Sequence, residues 1–184
     1  MASNDTKLGI GLATGMFYHA AAGTALPTYP LETLAGAWKK VGDVSADGIT
    51  LSMDKSITTL RNWANEAKRN ILSEHTETIQ AGIMDTTQEV LETILGSTTT
   101  VAASTAHGAL IKASITQGAL PATEAYLFLM KDGDDSIAIG TSHGQITSMD
   151  SVTFAPGDAI KWTPTITALQ SGWQIILDDG QTTP

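Results

Sequence analysis

Alternation of apolar and polar residues is the feature that most constrains how this chain can fold. Neighbouring side chains of a β-strand point to opposite faces, so a strand with one buried face alternates with a period of two. In residues 49–54, Ile49, Leu51 and Met53 fall on one side and polar residues on the other. This segment is predicted to be a strand whose apolar side faces a core.

Further short runs repeat this pattern along the chain. The run 125–130 is apolar at every position, which is typical of a central strand covered on both faces. Alternating runs occupy residues 109–116, 159–169 and 173–177. Pro164 lies within the second of these and favours an edge or a bulge, because proline has no N–H to donate. Several such strands separated by turn residues predict a mainly β domain.

One segment has a helical period instead. Thr86 and Glu89 have the spacing of a capping box, in which each side chain bonds to a free backbone N–H of the first turn. An apolar stripe follows at Val90, Leu91, Ile94 and Leu95, and Gly96 provides a left-handed stop. We therefore expect one α-helix over residues 86–95, packed on the sheet.

The length of 184 residues suits one domain over residues 1–184. Residues 1–36 are rich in Gly and Ala and are expected to form an extended arm with one strand near residues 16–18. No apolar run is long enough to cross a bilayer, and the N-terminus has no signal-peptide pattern. We expect a protein that is made and kept in a cytoplasm, without a membrane anchor.

The residue inventory does not indicate a catalytic, metal or cofactor site. Cysteine is absent, which excludes disulfides and thiolate ligands. The glycines of residues 9–15 lack the strand, lysine and helix of a phosphate loop. Residues 132–136 depart from the calcium-loop pattern and are better explained as a hairpin turn. The histidines have no metal-ligand spacing and are expected to be exposed: His19, His75, His107 and His143. The prediction is a protein that is not an enzyme and needs no cofactor.

Residues 73–80 combine β-favouring Thr and Ile with polar side chains on both faces. Such a strand cannot lie within a dry core, because buried polar groups without partners are costly. It is expected at an edge, or on a face wetted by solvent or a channel.

The charge is acidic, with 19 acidic residues against 10 basic ones and a formal net charge of −9. This balance argues against affinity for phosphate backbones, which depends on Lys and Arg. One basic stretch lies within residues 54–69.

The stretch 37–50 resembles the opening signature of phage tail tube proteins. It has Trp38, a hydrophobic–Gly pair ending at Gly42, a short turn, and Gly48 at the start of a strand. Residues 54–63 resemble the mobile hairpin of that family, and the polar strand and the helix follow in the expected order. The closing strands over 125–168 and a hairpin at Gly172 are also similar, so the resemblance covers residues 23–177.

The resemblance implies a β-sandwich or barrel with one flanking helix, and assembly as hexameric rings stacked into a tube. An inter-ring hairpin or loop over 45–72 and sandwich strands over 73–177 are expected. The implied partners are copies of the chain and other tail proteins: the tape measure, the tail terminator, and baseplate or tip proteins. DNA would be only transient, non-specific cargo. The implied location is the tail of the virion, with the host cytoplasm during assembly.

Two sets of residues are hypothesised to serve this assembly. Channel-facing residues are Glu74, Thr76, Thr78 and Gln80, which share one side of the polar strand. An acidic, hydroxyl-rich wall would let DNA slide. Inter-ring contacts are assigned to Lys55, Arg61, Trp63, Lys68 and Arg69, which would dock on an acidic surface of the next ring.

Two alternatives remain open at the level of sequence. The tube protein of a bacterial contractile injection or secretion system would share this architecture. A carbohydrate-binding or adhesion β-sandwich would differ in class, but it usually has exposed aromatic residues or a calcium loop.

Overall fold

The computed structural model describes residues 9–11, 16–28, 31, 33–96, 98–101, 108–114 and 120–178. These residues form eleven strands and one helix. The first five strands are β1 Ile10–Gly11, β2 Phe17–Ala21, β3 Lys39–Gly42, β4 Val44–Arg61 and β5 Ala67–Ile83. After the helix α1 Gln88–Leu95 come β6 Thr98–Val101, β7 Leu110–Ala113, β8 Glu124–Asp132, β9 Asp135–Met149, β10 Pro164–Ala168 and β11 Gln174–Asp178.

Nine of these strands form one sheet in which the pairings are antiparallel. The order is β3-β2-β8-β9-β10-β5-β4, and β1 and β11 pair with β8 and β9 respectively. The remaining strands β6 and β7 pair with each other. The expected mainly β fold with one short helix is confirmed.

The strand β8 lies at the centre of the core, as its uninterrupted apolar sequence predicted. Tyr126, Phe128 and Met130 face one hydrophobic cluster, which α1 helps to cover. The alternate residues Ala125, Leu127 and Leu129 face a second cluster with Trp38 and Leu31. Burial of both faces explains why this strand has no polar side.

Part of the N-terminal segment, residues 1–36, belongs to the sheet, although this segment was predicted to be mainly extended. Its strand, Phe17–Ala21, lies between β3 and β8. The Phe17 ring is fully buried and stacks on Phe128 with ring centroids 4.6 Å apart. Residues 17–21 are therefore an integral part of the sheet.

The helix was predicted correctly, but the capping box was not. The N-cap is Thr87, whose side-chain oxygen accepts a hydrogen bond from the Val90 N–H at 3.3 Å. Thr86 instead accepts a hydrogen bond from the indole N–H of Trp162. Gly96 adopts the left-handed conformation (φ 78°) as expected, and the stripe beginning at Val90 packs on the core. The hydrogen bond from Trp162 thus uses the Thr86 hydroxyl, which local spacing had assigned to the helix cap.

The later strands are shorter than their alternating runs. In the run 159–169 only Pro164–Ala168 is a strand, and Trp162 forms an isolated bridge with Ile83. The ladder between β10 and β9 shifts register directly after Thr165, in agreement with the bulge that Pro164 suggested. Of the run 109–116, Leu110–Ala113 is a strand, and residues 115 and 116 lie outside the described residues.

Residues 132–136 form a tight hairpin turn, as predicted. Gly133 and Asp134 connect β8 to β9, and Gly133 has a φ of 63°. Within the described part of the chain, no group of three or more His, Asp or Glu side chains is placed to hold a metal ion.

Candidate assembly surfaces

The outer halves of β4 and β5 form a two-stranded ribbon, which we call the arm (residues 53–76). The ladder between the two strands runs from Val44↔Ile83 to Arg61↔Ala67. Every arm residue except Asn62 is exposed, so neither face packs on the rest of the chain. The arm includes most of the hairpin predicted to contact another ring.

The tip of the arm holds its tryptophan in a fixed turn. The Asn62 side-chain oxygen accepts from the Glu66 N–H at 2.8 Å, while its amide donates to the Glu66 carboxylate. Asn65 adopts a left-handed conformation (φ 59°), and its carbonyl accepts a hydrogen bond from Arg61. Trp63 lies between these residues with a relative exposure of 105%. The turn therefore presents the indole ring to solvent.

The arm also exposes apolar side chains along its length. A bulge after Ser56↔Glu74 brings Ile57 opposite Leu72. As a result, apolar residues appear on both faces of the outer ribbon. The large apolar residues that the arm exposes are Met53, Ile57, Leu60, Trp63, Ile71 and Leu72. Of these, only Trp63 was predicted to lie at an interface, although isolated apolar residues on a polar ribbon were a usable signal.

The predicted contact cations all lie on the arm. Lys55 pairs with His75 across the ribbon and Arg69 with Leu60. Lys68 forms an ion pair with Glu66 at 2.9 Å, and both side chains remain largely exposed. The structure thus places Lys55, Arg61, Trp63, Lys68 and Arg69 on one projecting element.

The four residues predicted to face a channel share one side of β5. Thr78 and Gln80 alternate with Ile79 and Ala81, whose side chains are buried in the core. Glu74 and Thr76 continue the same side into the arm, where they are exposed. Their common side therefore faces away from the main hydrophobic cluster.

This polar face extends over the neighbouring strands. Ser52 and Thr50 of β4 lie opposite Thr78 and Gln80, and Thr167 and Thr165 of β10 flank them on the other side. The Thr167 hydroxyl is hydrogen-bonded to the Thr147 hydroxyl of β9 at 2.8 Å. Residues from four strands thus make one surface rich in hydroxyl and amide groups.

The charges on this polar face are mainly acidic. Asp54 lies opposite Thr76 on the same face as Glu74, and Asp150 accepts a hydrogen bond from Gln80 at 2.8 Å. At the end farthest from the arm tip, Lys161 is paired with Asp47 at 2.6 Å. The polar face therefore has few unpaired positive charges that could bind phosphate groups.

The edges of β5 are only partly occupied. One edge pairs with β4 along its length, so β5 is not an edge strand of this sheet. On the other edge, the pairing with β10 covers Thr78 to Gln80. In the described sheet, β4 is the last strand, and its outer edge has no paired strand.

The root of the arm is tied to the segment between β10 and β11. The Glu77 carboxylate accepts a hydrogen bond from the Trp173 N–H at 2.7 Å and lies 3.1 Å from a ring nitrogen of His75. Beyond this point, β11 exposes Ile175 and Leu177 (56% and 66%). These two residues continue the predicted alternation, but their apolar side forms an exposed rim rather than core.

A cleft of about 420 Å³ lies at the opposite end of β4 and β5 from the arm tip. We call it the foot cleft. It is lined by Ser45, Ala46, Asp47, Met84, Ser151, Thr153, Asp158, Ala159, Lys161 and Thr163. Gly82 allows Lys161 to pack closely, because a Cβ at Gly82 would lie 2.7 Å from Lys161 Cδ. This cleft was not predicted from the sequence, since its walls come from distant segments.

His19 is buried between two carboxylates, contrary to the expectation that the histidines are exposed. Its Nδ1 lies 2.9 Å from Glu124 and its Nε2 lies 2.7 Å from Glu89. Lys39 lies 3.7 Å from the same Glu89 oxygen, and Glu92 lines the adjoining cavity. The cluster links β2, β3, β8 and α1. No local pattern could predict it, because the partners are 70 and 105 residues away.

The His19 cluster should make stability depend on pH. Burial alone lowers the pKa of His19, but the hydrogen bonds to Glu124 and Glu89 and the negative charges of these carboxylates together outweigh burial and raise the pKa above 6.5. The stabilisation is complete below pH 6.5 and is lost as pH rises through the folded-state pKa. We expect wild type to lose stability relative to His19→Gln between pH 6 and pH 9.

Urea unfolding of both proteins across that range measures this difference. The His19→Gln variant is the matched control, because glutamine can hydrogen-bond to both carboxylates but does not titrate. A free-energy difference that stays constant with pH would contradict the assignment.

The helix in the described part of the chain is too short to span a bilayer.

Known proteins were compared with this chain by sequence and by structure. No curated protein matches it. A solved structure described as the tail of an empty gene transfer agent particle has 10% identity and a TM-score of 0.43, covering 88% of this chain and 94% of that one. The tube-terminating cap of the anti-feeding prophage has 12% identity and a TM-score of 0.46, covering 97% and 100%. A gene transfer agent virion has 9% identity and a TM-score of 0.42, covering 77% and 92%.

The family assignment depends on the sequence itself rather than on these distant structures. A family model described as phage tail tube protein matches residues 1–177, which is nearly the whole chain. The chain therefore belongs to the phage tail tube protein family.

Proposed function

We propose that six copies of this chain close into a ring, and that rings stack through the arm into the tube through which the phage genome leaves the virion. The arm is the observation that carries this proposal. Burying one large apolar side chain contributes roughly 1.5–3 kcal/mol. Six such residues stay exposed on the isolated arm, Met53, Ile57, Leu60, Trp63, Ile71 and Leu72. A neighbouring subunit would bury them.

Ring closure is supported by the edges of the sheet. An exposed long strand such as β4 readily pairs with another chain, and closure into a barrel removes free edges. Pairing of its outer edge with the next subunit would continue the polar face around the axis. Thr50, Ser52, Thr78 and Gln80 would then line a water-filled channel.

The channel wall would allow DNA to pass without binding. Phosphate affinity depends on Lys and Arg that displace counterions. The polar face instead carries hydroxyls, amides and the carboxylates of Asp54 and Glu74. DNA is therefore proposed as transient, non-specific cargo.

In this role the protein acts as a building block and needs neither catalysis nor a cofactor. It would reside in the virion tail, assemble in the host cytoplasm, and meet the tape measure, terminator and baseplate or tip proteins at the ends of the tube. These contacts are proposed to lie on a single domain over residues 1–184.

Reversing the charge of the arm tests the stacking step. The triple variant Arg61→Glu, Lys68→Glu and Arg69→Glu should yield far fewer tubes, because electrostatic complementarity steers association and fixes register. Its free energy of unfolding should change little, since these side chains are exposed. Pelleting by ultracentrifugation and negative-stain microscopy measure assembly, and urea titration measures unfolding.

The control is Lys112→Glu, which reverses an exposed lysine outside the arm. It should form tubes as the wild type does. Normal tubes from the triple variant would show that the arm cations do not contribute to stacking. Wild-type protein that forms neither rings nor tubes would overturn the proposed function itself.

A further inference from the structure

We infer that the foot cleft of one copy receives the arm tip of the next copy along the tube, with Trp63 seated in the cleft. This inference rests on the proposed function and specifies the surface to which the arm binds.

The tip and the cleft lie at opposite ends of the same two strands. Ser45 and Asp47 stand at the start of β4, and Met84 directly follows β5. Trp63 stands at the other end, after Arg61. At about 3.3 Å per residue, the fourteen steps along the strand from Asp47 to Arg61 separate the two features by roughly 45 Å.

This arrangement determines the kind of assembly that follows. A contact between two different patches of the same chain is heterologous and repeats without limit unless a rotation closes it. Translation along the strands brings the tip of one copy to the foot of another. The contact therefore extends the assembly along one direction, as a stacked tube requires.

The charges at the two ends are complementary. The arm tip carries Arg61, Lys68 and Arg69 against the single acid Glu66. Asp47 and Asp158 line the foot cleft together with Lys161. Three further aspartates adjoin lining residues in sequence or by a hydrogen bond, and Lys40 lies beside the first of them: Asp43, Asp85 and Asp150. Lys40 is already paired with Asp43 at 3.0 Å, and Lys161 with Asp47. The net negative foot favours a basic partner.

The lining of the cleft suits a large aromatic side chain. Its volume of about 420 Å³ falls within the range of roughly 300–1,000 Å³ that is typical of pockets for compact ligands. Met84 is 47% exposed and offers an apolar wall, and a thioether packs well against an aromatic ring. Tryptophan and arginine dominate binding energy at many interfaces. The arm tip contains both residue types, in Trp63 and Arg61.

Site-specific cross-linking tests this contact, and the absence of native cysteine makes the test clean. Ala64→Cys labels the exposed tip next to Trp63, and Thr153→Cys labels the exposed wall of the cleft. Assembled tubes of the double variant, treated with a short bis-maleimide, should give a ladder of dimers, trimers and longer covalent chains. A mixture of the two single-cysteine variants should stop at dimers that contain one of each.

The matched control pairs Ala64→Cys with Asp134→Cys, which lies in the exposed turn between β8 and β9. This protein should not form the ladder. Tubes of the Ala64→Cys/Thr153→Cys variant that assemble normally without a ladder, or an equal ladder from the control, would overturn the inference while the proposed function stands. Wild-type protein that forms no tubes would remove both.

Discussion

Trp63→Ala should abolish tube formation at concentrations at which the wild-type protein polymerises, while the free energy of unfolding stays the same. The indole ring has a relative exposure of 105%, so the isolated chain gains no stability from it. At an interface, truncating an anchoring tryptophan costs about 2 kcal/mol or more. This corresponds to roughly 30-fold weaker affinity at each contact. In the proposed tube each ring would be held to the next by several such contacts, so the losses in affinity would combine.

Sedimentation over a range of protein concentrations measures this effect as a rise in the critical concentration. Trp63→Phe should fall between wild type and alanine, since it retains an aromatic ring. Trp162→Ala provides the opposite control: Trp162 is buried, so we expect a loss of about 3–5 kcal/mol in unfolding. An unchanged critical concentration for Trp63→Ala would exclude the tip from the stacking contact.

Features fixed by local pattern were predictable from the sequence. The uninterrupted apolar run of β8 indicated burial on both faces, and Leu127 and Phe128 indeed pack in different clusters. The stripe of α1 and the glycine that ends it followed from helical periodicity. The polar character of β5 was recognised from its Glu, Thr and Gln residues, and the structure shows Thr78 and Gln80 alternating with buried Ile79 and Ala81. In each case the information lies within a few residues.

Features set by distant contacts were not predictable. Thr86 was assigned to the helix cap, but its hydroxyl accepts a hydrogen bond from the indole N–H of Trp162, which lies 76 residues away in the sequence. The burial of His19 depends on Glu89 and Glu124, which meet it only after the sheet has formed. The bulge near Ser73 depends on the register between two long strands. Local spacing contains none of this information.

The candidate site was predicted in part. The arm cations and the polar side of β5 were assigned from residue type and order, and the structure places each set on one surface. The foot cleft was missed, because its walls come from three segments around residues 45, 84 and 151–163. A cleft lined by several distant segments cannot be recognised from local patterns. The arm is a single hairpin and was therefore easier to predict from sequence than the foot cleft.

Introducing lysines on the polar face should impair DNA release without preventing assembly. Thr76 and Thr78 lie on the same side of β5, away from the core and away from the arm tip. In a ring of six copies, Thr76→Lys with Thr78→Lys would add twelve positive charges to the channel wall of each ring. Each cation that neutralises a phosphate binds DNA with a salt-dependent affinity, with a slope in log K of about −0.7 to −0.9 per contact. We expect DNA release to slow by roughly tenfold or more at low salt.

The experiment compares triggered phage particles that carry these substitutions, with release followed by a DNA-binding dye at low and high salt. The control is Thr76→Gln with Thr78→Gln, which adds similar bulk without charge and should release DNA at the wild-type rate. High salt should restore release from the lysine particles, because screening removes the attraction between cations and phosphates. Equal release from lysine and glutamine particles at low salt would place this face outside the channel, since cations that never meet the DNA cannot retain it.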